Sequence, residues 1–326
     1  MPKKTSALAV ENCIAWPRSM DKSRKFLVVV NPAAGRGRAA QARAPVEAYL
    51  RSQGVNVDFI ATSDAADARR RAGAAAAAGY THVAALGGDG TFHQILNGAF
   101  GHEIVLGLLP AGGGNDLARA LDLPRDAVAA AHTLLHAPIR TVDVLRVHSA
   151  NGPNIFYAGA GGLGLDADAA RLANGRYRRF PGMLRYIAAA LEAFRKFRPF
   201  ALDLIVDGVQ TTAEVLLIAV ANSPSYGSGV IVAPSAEIDD GWMDLMLLVA
   251  PLGWRQIIDG LILAQVSGDI RWPEIRRMRA RRISLAANRA AAFHGDGEIL
   301  AEAPVEVEVC PLSVRIVAPH AQKAQL

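Results

Sequence analysis

Apolar runs alternate with alanine-rich segments from Phe26 to about residue 138. Four of these runs are short and continuous, and they read KFLVVV, VNVDFIAT, THVAALG and IVLGLLP. The alanine-rich segments between them indicate helices. Continuous apolar strands separated by helices are typical of a parallel sheet that is covered on both faces. The pattern therefore predicts an α/β domain with a Rossmann-like parallel sheet over residues 25–145, preceded by a flexible extension over residues 1–24.

The second half has a different pattern, in which short strand-like segments such as ALDLIVDG and EVLLIAVAN follow one another with turn signals between them. Helices are predicted only near Met183–Phe197 and Trp254–Val266. Many short strands with few helices favour an antiparallel β-sandwich, which we place at residues 146–304. A C-terminal strand at about 305–320 is a candidate to return to the first domain.

The composition is that of an ordinary globular enzyme, with 51% hydrophobic and 20% charged residues among 326. No apolar run approaches the ~20 residues of a membrane-spanning helix, and the N-terminal segment lacks the apolar core of a secretory signal. Cys13 and Cys310 lie far apart in unlike settings, which favours free thiols over a disulfide or a zinc site. We therefore expect a cytoplasmic protein.

The net charge of +5 is unevenly distributed, because residues 271–282 carry six arginines against one glutamate and residues 171–198 are also basic. Such clusters suit anionic surfaces, although either one also fits a solvated face. The arginine-rich stretch lacks the interleaved aromatic residues of a single-strand binder. We expect no nucleic-acid partner, and we expect transient contact with an anionic membrane surface. The sequence gives no indication of the oligomeric state.

Three glycine-rich loops each follow a predicted strand of the first domain, and they read NPAAGRG, GGDGT and PAGGGND. In a parallel sheet, such loops emerge together at the carboxyl edge, where α/β folds bind ligands. Glycines let successive N–H groups point the same way, which suits phosphate oxygens. The three loops predict a nucleotide phosphate site.

Of two common nucleotide-binding motifs, one is absent from the sequence and the other is matched only weakly. The pattern GxxxxGK[ST] is absent, so the chain is not a P-loop enzyme. The letters GAGGLG at Gly159–Gly164 match a dinucleotide fingerprint, but they lie in the strand-rich half. No acidic residue stands about 20 positions further on to bind a ribose.

Five segments, in this order and spacing, resemble the bacterial diacylglycerol-kinase-like lipid kinases, which are related to sphingosine and ceramide kinases. They are NPAAGRG, GGDGTFHQILNG, LPAGGGNDLAR, YGSGVIVAPSAEIDDG and GDGE. GGDGT alone is shared with NAD kinases and 6-phosphofructokinases, whereas NDLAR and AEIDDG are more specific. The resemblance implies Mg2+- and ATP-dependent phosphorylation of a lipid hydroxyl, of diacylglycerol or of a sphingoid or ceramide-type lipid, and a part in phospholipid biosynthesis.

The resemblance also implies which residues form the nucleotide and metal sites. Those expected around ATP are Asn31, Pro32, Gly35, Thr62, Gly87, Gly88, Asp89, Gly90, Thr91, Gly112, Gly113, Gly114, Asn115 and Asp116. Family members usually carry threonine where this chain has Gly113, so one hydroxyl contact to the nucleotide is missing. A magnesium site is implied at the DDG turn, formed by the Asp240 side chain with backbone oxygens near Glu237 and Trp242. The same letters fit a simple hairpin turn.

The segment HGDGEIL offers two carboxylates, Asp296 and Glu298. A lipid alcohol is a poor nucleophile at neutral pH, so a nearby carboxylate acting as general base would help the transfer. By resemblance, DGE is the catalytic motif, with Glu298 slightly favoured as the base and Asp296 as base or metal partner. The alternatives are an NAD kinase, or a non-catalytic regulatory protein on the same fold.

Overall fold

The computed structural model of the protein describes residues 24–319, apart from residues 151, 178, 179 and 181. The extension predicted for residues 1–24 therefore lies outside the described residues, except for Arg24. Within the described part of the chain, no helix is both long and apolar enough to span a bilayer.

The first half alternates strands and helices. Its strands are β1 (Lys25–Val30), β2 (Asn56–Ala61), β3 (His82–Gly87) and β4 (Val105–Pro110). Its helices are α1 (Arg38–Ser52), α2 (Ala65–Ala75), α3 (Asp89–Ala99), α4 (Asp116–Ala120) and α5 (Ala127–His136). The four strands pair in parallel in the order β2–β1–β3–β4.

The parallel sheet is covered on both faces. Because side chains alternate along a strand, Leu27 and Val29 of β1 pack in the cluster that contains α2 and α3. Phe26, Val28 and Val30 pack on the opposite face with α1 and α5. This arrangement explains why β1 is a continuous apolar run, and it confirms the α/β prediction.

The second half is built mainly from strands. They are β5 (Ile139–Ser149), β6 (Ile155–Tyr157), β7 (Ala160–Gly164), β8 (Phe200–Val206), β9 (Val209–Ala221), β10 (Ser225–Tyr226), β11 (Val230–Ile231), β12 (Met243–Val249), β13 (Ile275–Ala280), β14 (Arg282–Ala287), β15 (Ala292–Gly295), β16 (Glu298–Glu302) and β17 (Val305–Val317). The helices are α6 (Leu165–Asn174), α7 (Gly182–Lys196) and α8 (Trp254–Val266). The described strand pairs within this half are antiparallel, as the sandwich prediction requires.

Strand β17 connects the two halves. It pairs in parallel with β4, where Arg315 lies opposite Val105, and antiparallel with β5 and β14. The last residues of the C-terminal strand thus extend the parallel strands of the first half, while its earlier residues pair with β14 of the second half, so that both halves share one continuous sheet. The domain limits at residues 145 and 304 remain a prediction: β5 runs across the first limit, and β17 begins directly after the second.

The glycine run Gly159–Gly164 has a structural role in the second half. It contains β7, whose neighbours β15 and β9 approach very closely. A Cβ on Gly161 would lie 2.1 Å from the His294 carbonyl oxygen, and one on Gly162 would lie 2.2 Å from that of Ile218. These glycines therefore serve strand packing and leave no room for a dinucleotide. The helix that follows, α6, is one that the strand-rich pattern did not predict.

Candidate functional site

The three glycine-rich loops meet at the carboxyl edge of the parallel sheet. A Cβ on Gly112 would lie 2.3 Å from Gly88 Cα, so the second and third loops touch backbone to backbone. A Cβ on Gly35, whose φ is +60°, would lie 1.9 Å from the Ala111 carbonyl oxygen, which brings the first loop against the third. Larger residues at these points would force the loops apart. The three loops therefore form one continuous rim.

Polar side chains fasten the rim at the ends of β1 and β3. The Asn31 amide donates to Thr91 Oγ1 at 3.2 Å, which ties the first loop to the second. The Thr62 hydroxyl donates to the Val30 carbonyl at 3.2 Å, beside the exposed Pro32. These residues lie at the edge where the resemblance puts the nucleotide.

The NDLAR segment crosses from the rim to the second half. Asn115 has φ of +54°, and its side chain accepts a hydrogen bond from Gly112 N at 3.0 Å, closing the third loop. Its own backbone N–H donates to Asp89 Oδ2 at 2.8 Å. The neighbouring Asp116 accepts from the backbone N–H of Ser228 at 2.8 Å. Asn115 and Asp116 therefore link both glycine loops to the loop between β10 and β11.

Asp89 lies where three carboxylates come together. Burial raises the pKa of Asp89 to about 6, and the nearby charges of Asp116 and Asp296 add to the effect. Like charges in a poorly solvated place oppose ionisation, so a cation at this place would relieve the repulsion. Among the described residues, no three His, Cys, Asp or Glu side chains already converge to metal-binding distance.

Asp296 and Glu298 both lie next to this rim. Asp296 occupies the turn between β15 and β16, where its carboxylate accepts from Gly159 N at 2.8 Å and from Ala158 N at 3.0 Å. Its Oδ2 is 3.7 Å from His93 Nδ1, on helix α3. Glu298 reaches the start of the same helix, since a Cβ on Gly90 would be 2.9 Å from Glu298 Oε1. The second half thus presents both acids to the glycine rim.

A cavity of about 330 Å³ opens at this cluster of carboxylates and extends into the second half. Its lining includes the three carboxylates Asp89, Asp116 and Asp296. The rest of its wall is mostly apolar and includes Leu217, Met246, Leu248, Ile257, Leu261 and Trp272. Sequence reasoning did not identify this wall, because its residues come from β9, β12, α8 and the segment before β13.

A second group in the cavity wall was also missed, and it consists of Asp166, Tyr226 and His294. The His294 Nε2 atom is 2.8 Å from Asp166 Oδ2, and the Tyr226 hydroxyl donates to the same oxygen at 3.1 Å. Asp166 belongs to α6, the unpredicted helix, and lies 128 positions before His294. No local pattern links such distant residues.

The DDG turn lies apart from this cavity. Asp240 Oδ1 accepts from Trp242 N at 3.0 Å, while the other oxygen is paired with Arg279. The Glu237 side chain is exposed. Both carboxylate oxygens of Asp240 are therefore already engaged by the protein. Each oxygen keeps a further lone pair that a cation can use, so the magnesium site implied at this turn stays a prediction.

Comparison with known proteins agrees with this geometry. Residues 25–147 match the diacylglycerol kinase catalytic domain, and residues 159–318 match the YegS C-terminal NAD kinase beta sandwich-like domain. A diacylglycerol kinase of Mycobacterium tuberculosis is 30% identical over 299 residues, which cover 91% of this chain and 96% of the relative. A diacylglycerol kinase of Bacillus subtilis is 28% identical over 306 residues, which cover 93% of this chain and 99% of the relative.

The fold is also shared with a solved structure. A crystal structure of a putative diacylglycerol kinase from Bacillus anthracis superposes with a TM-score of 0.75 at 22% identity, covering 93% of this chain and 99% of the other. The comparisons with the two curated kinases extend over nearly the whole length of each. The predicted resemblance is thereby confirmed: this chain belongs to the family of bacterial diacylglycerol-kinase-like lipid kinases.

Proposed function

We propose that the protein transfers the γ-phosphate of ATP to the hydroxyl of a lipid whose apolar chain occupies the cavity. The observation that carries this proposal is the cavity itself, which runs from the carboxylates at the glycine rim into an apolar wall. Pockets for ligands with a large apolar part are lined mainly by hydrophobic side chains, and a few polar groups fix the orientation of the ligand. NAD has no long apolar chain to occupy such a wall.

The glycine rim suits a triphosphate. Gly88 precedes helix α3, so the backbone N–H groups at the start of this helix and the positive end of the helix dipole lie beside the rim. The close backbone contact of Gly88 and Gly112 leaves no side chain between the two loops. We therefore assign the phosphates of ATP to the space along Gly87–Thr91 and Gly112–Asn115.

Magnesium that arrives with ATP would neutralise charge on the transferred phosphoryl group. Carboxylate oxygens are the ligands that Mg2+ prefers, and we propose Asp89 as the residue that would hold it, because the carboxylates of Asp116 and Asp296 lie beside it. Both Asp89 oxygens accept backbone N–H groups, from Asn115 and Leu117, and each keeps a lone pair for a cation. At the implied alternative site, the Asp240 carboxylate is already paired with Arg279. We therefore base no step of the transfer on the DDG turn.

We assign the role of general base to Asp296 rather than to Glu298. Asp296 lines the cavity beside the glycine rim, where the hydroxyl of a bound lipid would lie. The exposed Glu298 reaches towards Gly90 at the start of α3 and is not among the residues that line the cavity. A hydroxyl placed between Asp296 and the glycine rim would lose its proton to this carboxylate as its oxygen attacks the γ-phosphorus, while the bond from that phosphorus to the β,γ-bridging oxygen breaks and ADP leaves.

The proposal is tested by supplying ATP together with either diacylglycerol, ceramide or NAD. We expect a phosphorylated lipid, identified by mass, and no NADP. NADP formation without any lipid phosphate would contradict the proposal and would favour the NAD kinase alternative.

Gly113 provides a test of the nucleotide site. It is exposed, a Cβ there meets no described atom within 4 Å, and its φ is not positive. The Gly113→Thr variant should therefore be accommodated and supply a hydroxyl to the nucleotide. We expect the KM for ATP to fall by about fivefold, the worth of one hydrogen bond. Gly113→Val is the matched control, because it has the same shape without the hydroxyl, and an equal fall in both variants would contradict the assignment.

Helix α8 offers a route for the lipid from a membrane. One side of this helix lines the cavity through Ile257 and Leu261, while Trp254, Ile262 and Val266 are 58%, 49% and 76% exposed. Exposed apolar residues beside basic ones favour binding to an anionic lipid surface. Exposed arginines lie close by, at positions 255, 271 and 276. We propose that α8 is the part that contacts the membrane.

Changing α8 should weaken membrane binding. We expect the double variant Trp254→Ser, Val266→Ser to bind vesicles of phosphatidylserine and phosphatidylcholine at least tenfold less tightly in a sedimentation assay, since each buried apolar side chain contributes about 1.5–3 kcal/mol. Val209→Ser is the control, because Val209 is 70% exposed on a different element. An equal loss of vesicle affinity in the control, or no loss in the double variant, would mean that the membrane contact does not lie on α8.

A further inference from the structure

The cavity contains a polar group that the transfer reaction does not use. Asp166, Tyr226 and His294 lie in its wall, and Asp166 and His294 are only 9% and 3% exposed. The pKa of Tyr226 is raised well above its usual value by burial and by the charge of Asp166, so its hydroxyl keeps its proton. A polar group buried in an apolar cavity is costly unless its hydrogen bonds are satisfied.

The hydrogen bonds within this group leave two atoms with unused acceptor capacity, His294 Nδ1 and the Tyr226 hydroxyl oxygen. The Asp166 carboxylate accepts from Tyr226 and from His294 Nε2 at one oxygen, and from Ala167 N at the other. Nε2 therefore carries the hydrogen, and in the neutral imidazole Nδ1 is an acceptor. Nδ1 is buried and has no hydrogen-bond partner among the described residues. The Tyr226 hydroxyl already donates its hydrogen to Asp166, so its oxygen can only accept a further hydrogen bond. With the imidazole in this neutral form, the group can accept further hydrogen bonds and has no hydrogen left to donate.

This group lies close to the reacting hydroxyl. His294 precedes Asp296 by two residues at the end of β15, and two residues of a strand span ~7 Å. The two neighbours of His294 in the chain face the Tyr157 ring instead of the cavity. A Cβ on Gly295 would lie 2.8 Å from that ring, and the Phe293 and Tyr157 ring centroids are 6.1 Å apart. His294 and Asp296 thus both line the one cavity, and a lipid whose hydroxyl lies at Asp296 brings the next few atoms of its backbone to His294.

We propose that Asp166, Tyr226 and His294 form a subsite that accepts a hydrogen bond from a second donor group of the lipid, a hydroxyl or an amide N–H a few bonds from the phosphorylated hydroxyl. His294 Nδ1 is the contacting atom, and Asp166 is a positioning residue that holds its tautomer. The inference rests on the proposed lipid kinase function and names its substrate class. Ceramide-type lipids and monoacylglycerols carry such a donor, whereas the ester groups next to the hydroxyl of diacylglycerol only accept.

The test compares kcat/KM for ceramide, monoacylglycerol and diacylglycerol of matched acyl length in mixed micelles. We expect the wild-type enzyme to prefer the donor-bearing lipids by about 10–100-fold, the cost of leaving a buried acceptor unpaired. His294→Phe should bring that ratio to within about twofold, while His294→Asn, which keeps an acceptor near the Nδ1 position, should retain most of the preference.

Each outcome bears on a different claim. A wild-type ratio near one, or a preference for diacylglycerol, would overturn the subsite and leave the lipid kinase proposal standing. A ratio that His294→Phe leaves unchanged would also overturn it. If the Phe variant does not fold, the wild-type ranking and the Asn variant still decide. NADP formation with no lipid phosphate from any substrate would instead refute the proposed function itself.

Discussion

Replacing Asp296 with asparagine is expected to lower kcat for lipid phosphorylation by about 10²–10⁴-fold, the usual contribution of a general base. The amide is close in size to the carboxylate and can still accept a hydrogen bond from the backbone N–H of Ala158 or Gly159. The fold and the glycine rim should therefore persist. Single-turnover transfer from labelled ATP measures the chemical step, and a separate ATP-binding titration should show little change.

Glu298→Gln is the matched control for that experiment. It makes the same chemical change two residues away, on a side chain that is exposed and lies beside Gly90. We expect it to change the KM for ATP more than kcat, because Glu298 is next to the start of α3 and outside the cavity. If Glu298→Gln abolished transfer while Asp296→Asn retained it, the roles of the two acids would be reversed.

The parts of this structure that sequence could predict depend on short-range patterns. The buried strands β1 and β3 were predictable because both faces of the parallel sheet are covered, which makes each strand a continuous apolar run. The rim was predictable because Gly88 and Gly112 must be glycine where two loops touch. The resemblance depended on the same loops, since they hold most of its specific residues.

The parts that sequence could not predict depend on contacts between distant residues. Asp166 and His294 meet only because β7 and β15 pair, and the glycines of β7 made the start of α6 look like part of a strand-rich region. The pairing of Arg279 with Asp240 follows from the position of β13 beside β12. The letters DDG give no sign that an arginine from another strand would engage the carboxylate expected to bind magnesium.

Filling the cavity tests the assignment of the lipid chain to it. Ala264 lies on the cavity side of α8 and is 7% exposed. The Ala264→Phe variant should place its ring in the space that an acyl chain would occupy. Each methylene kept out of an apolar site loses about 0.8 kcal/mol, so excluding four of them should lower kcat/KM by about 10²-fold for long-chain lipids. Short-chain substrates, which do not reach the ring, should lose much less.

The control is Val266→Phe, which places the same ring on the exposed side of the same helix, where Val266 is 76% exposed. It should leave the dependence of kcat/KM on chain length as it is in the wild type. The comparison across chain lengths separates a filled cavity from general damage, because damage to the fold or to the glycine rim lowers the rate for every substrate alike. A uniform loss in Ala264→Phe, or an unchanged profile, would mean that the acyl chain lies elsewhere, and the cavity could then no longer support a lipid as the phosphoryl acceptor.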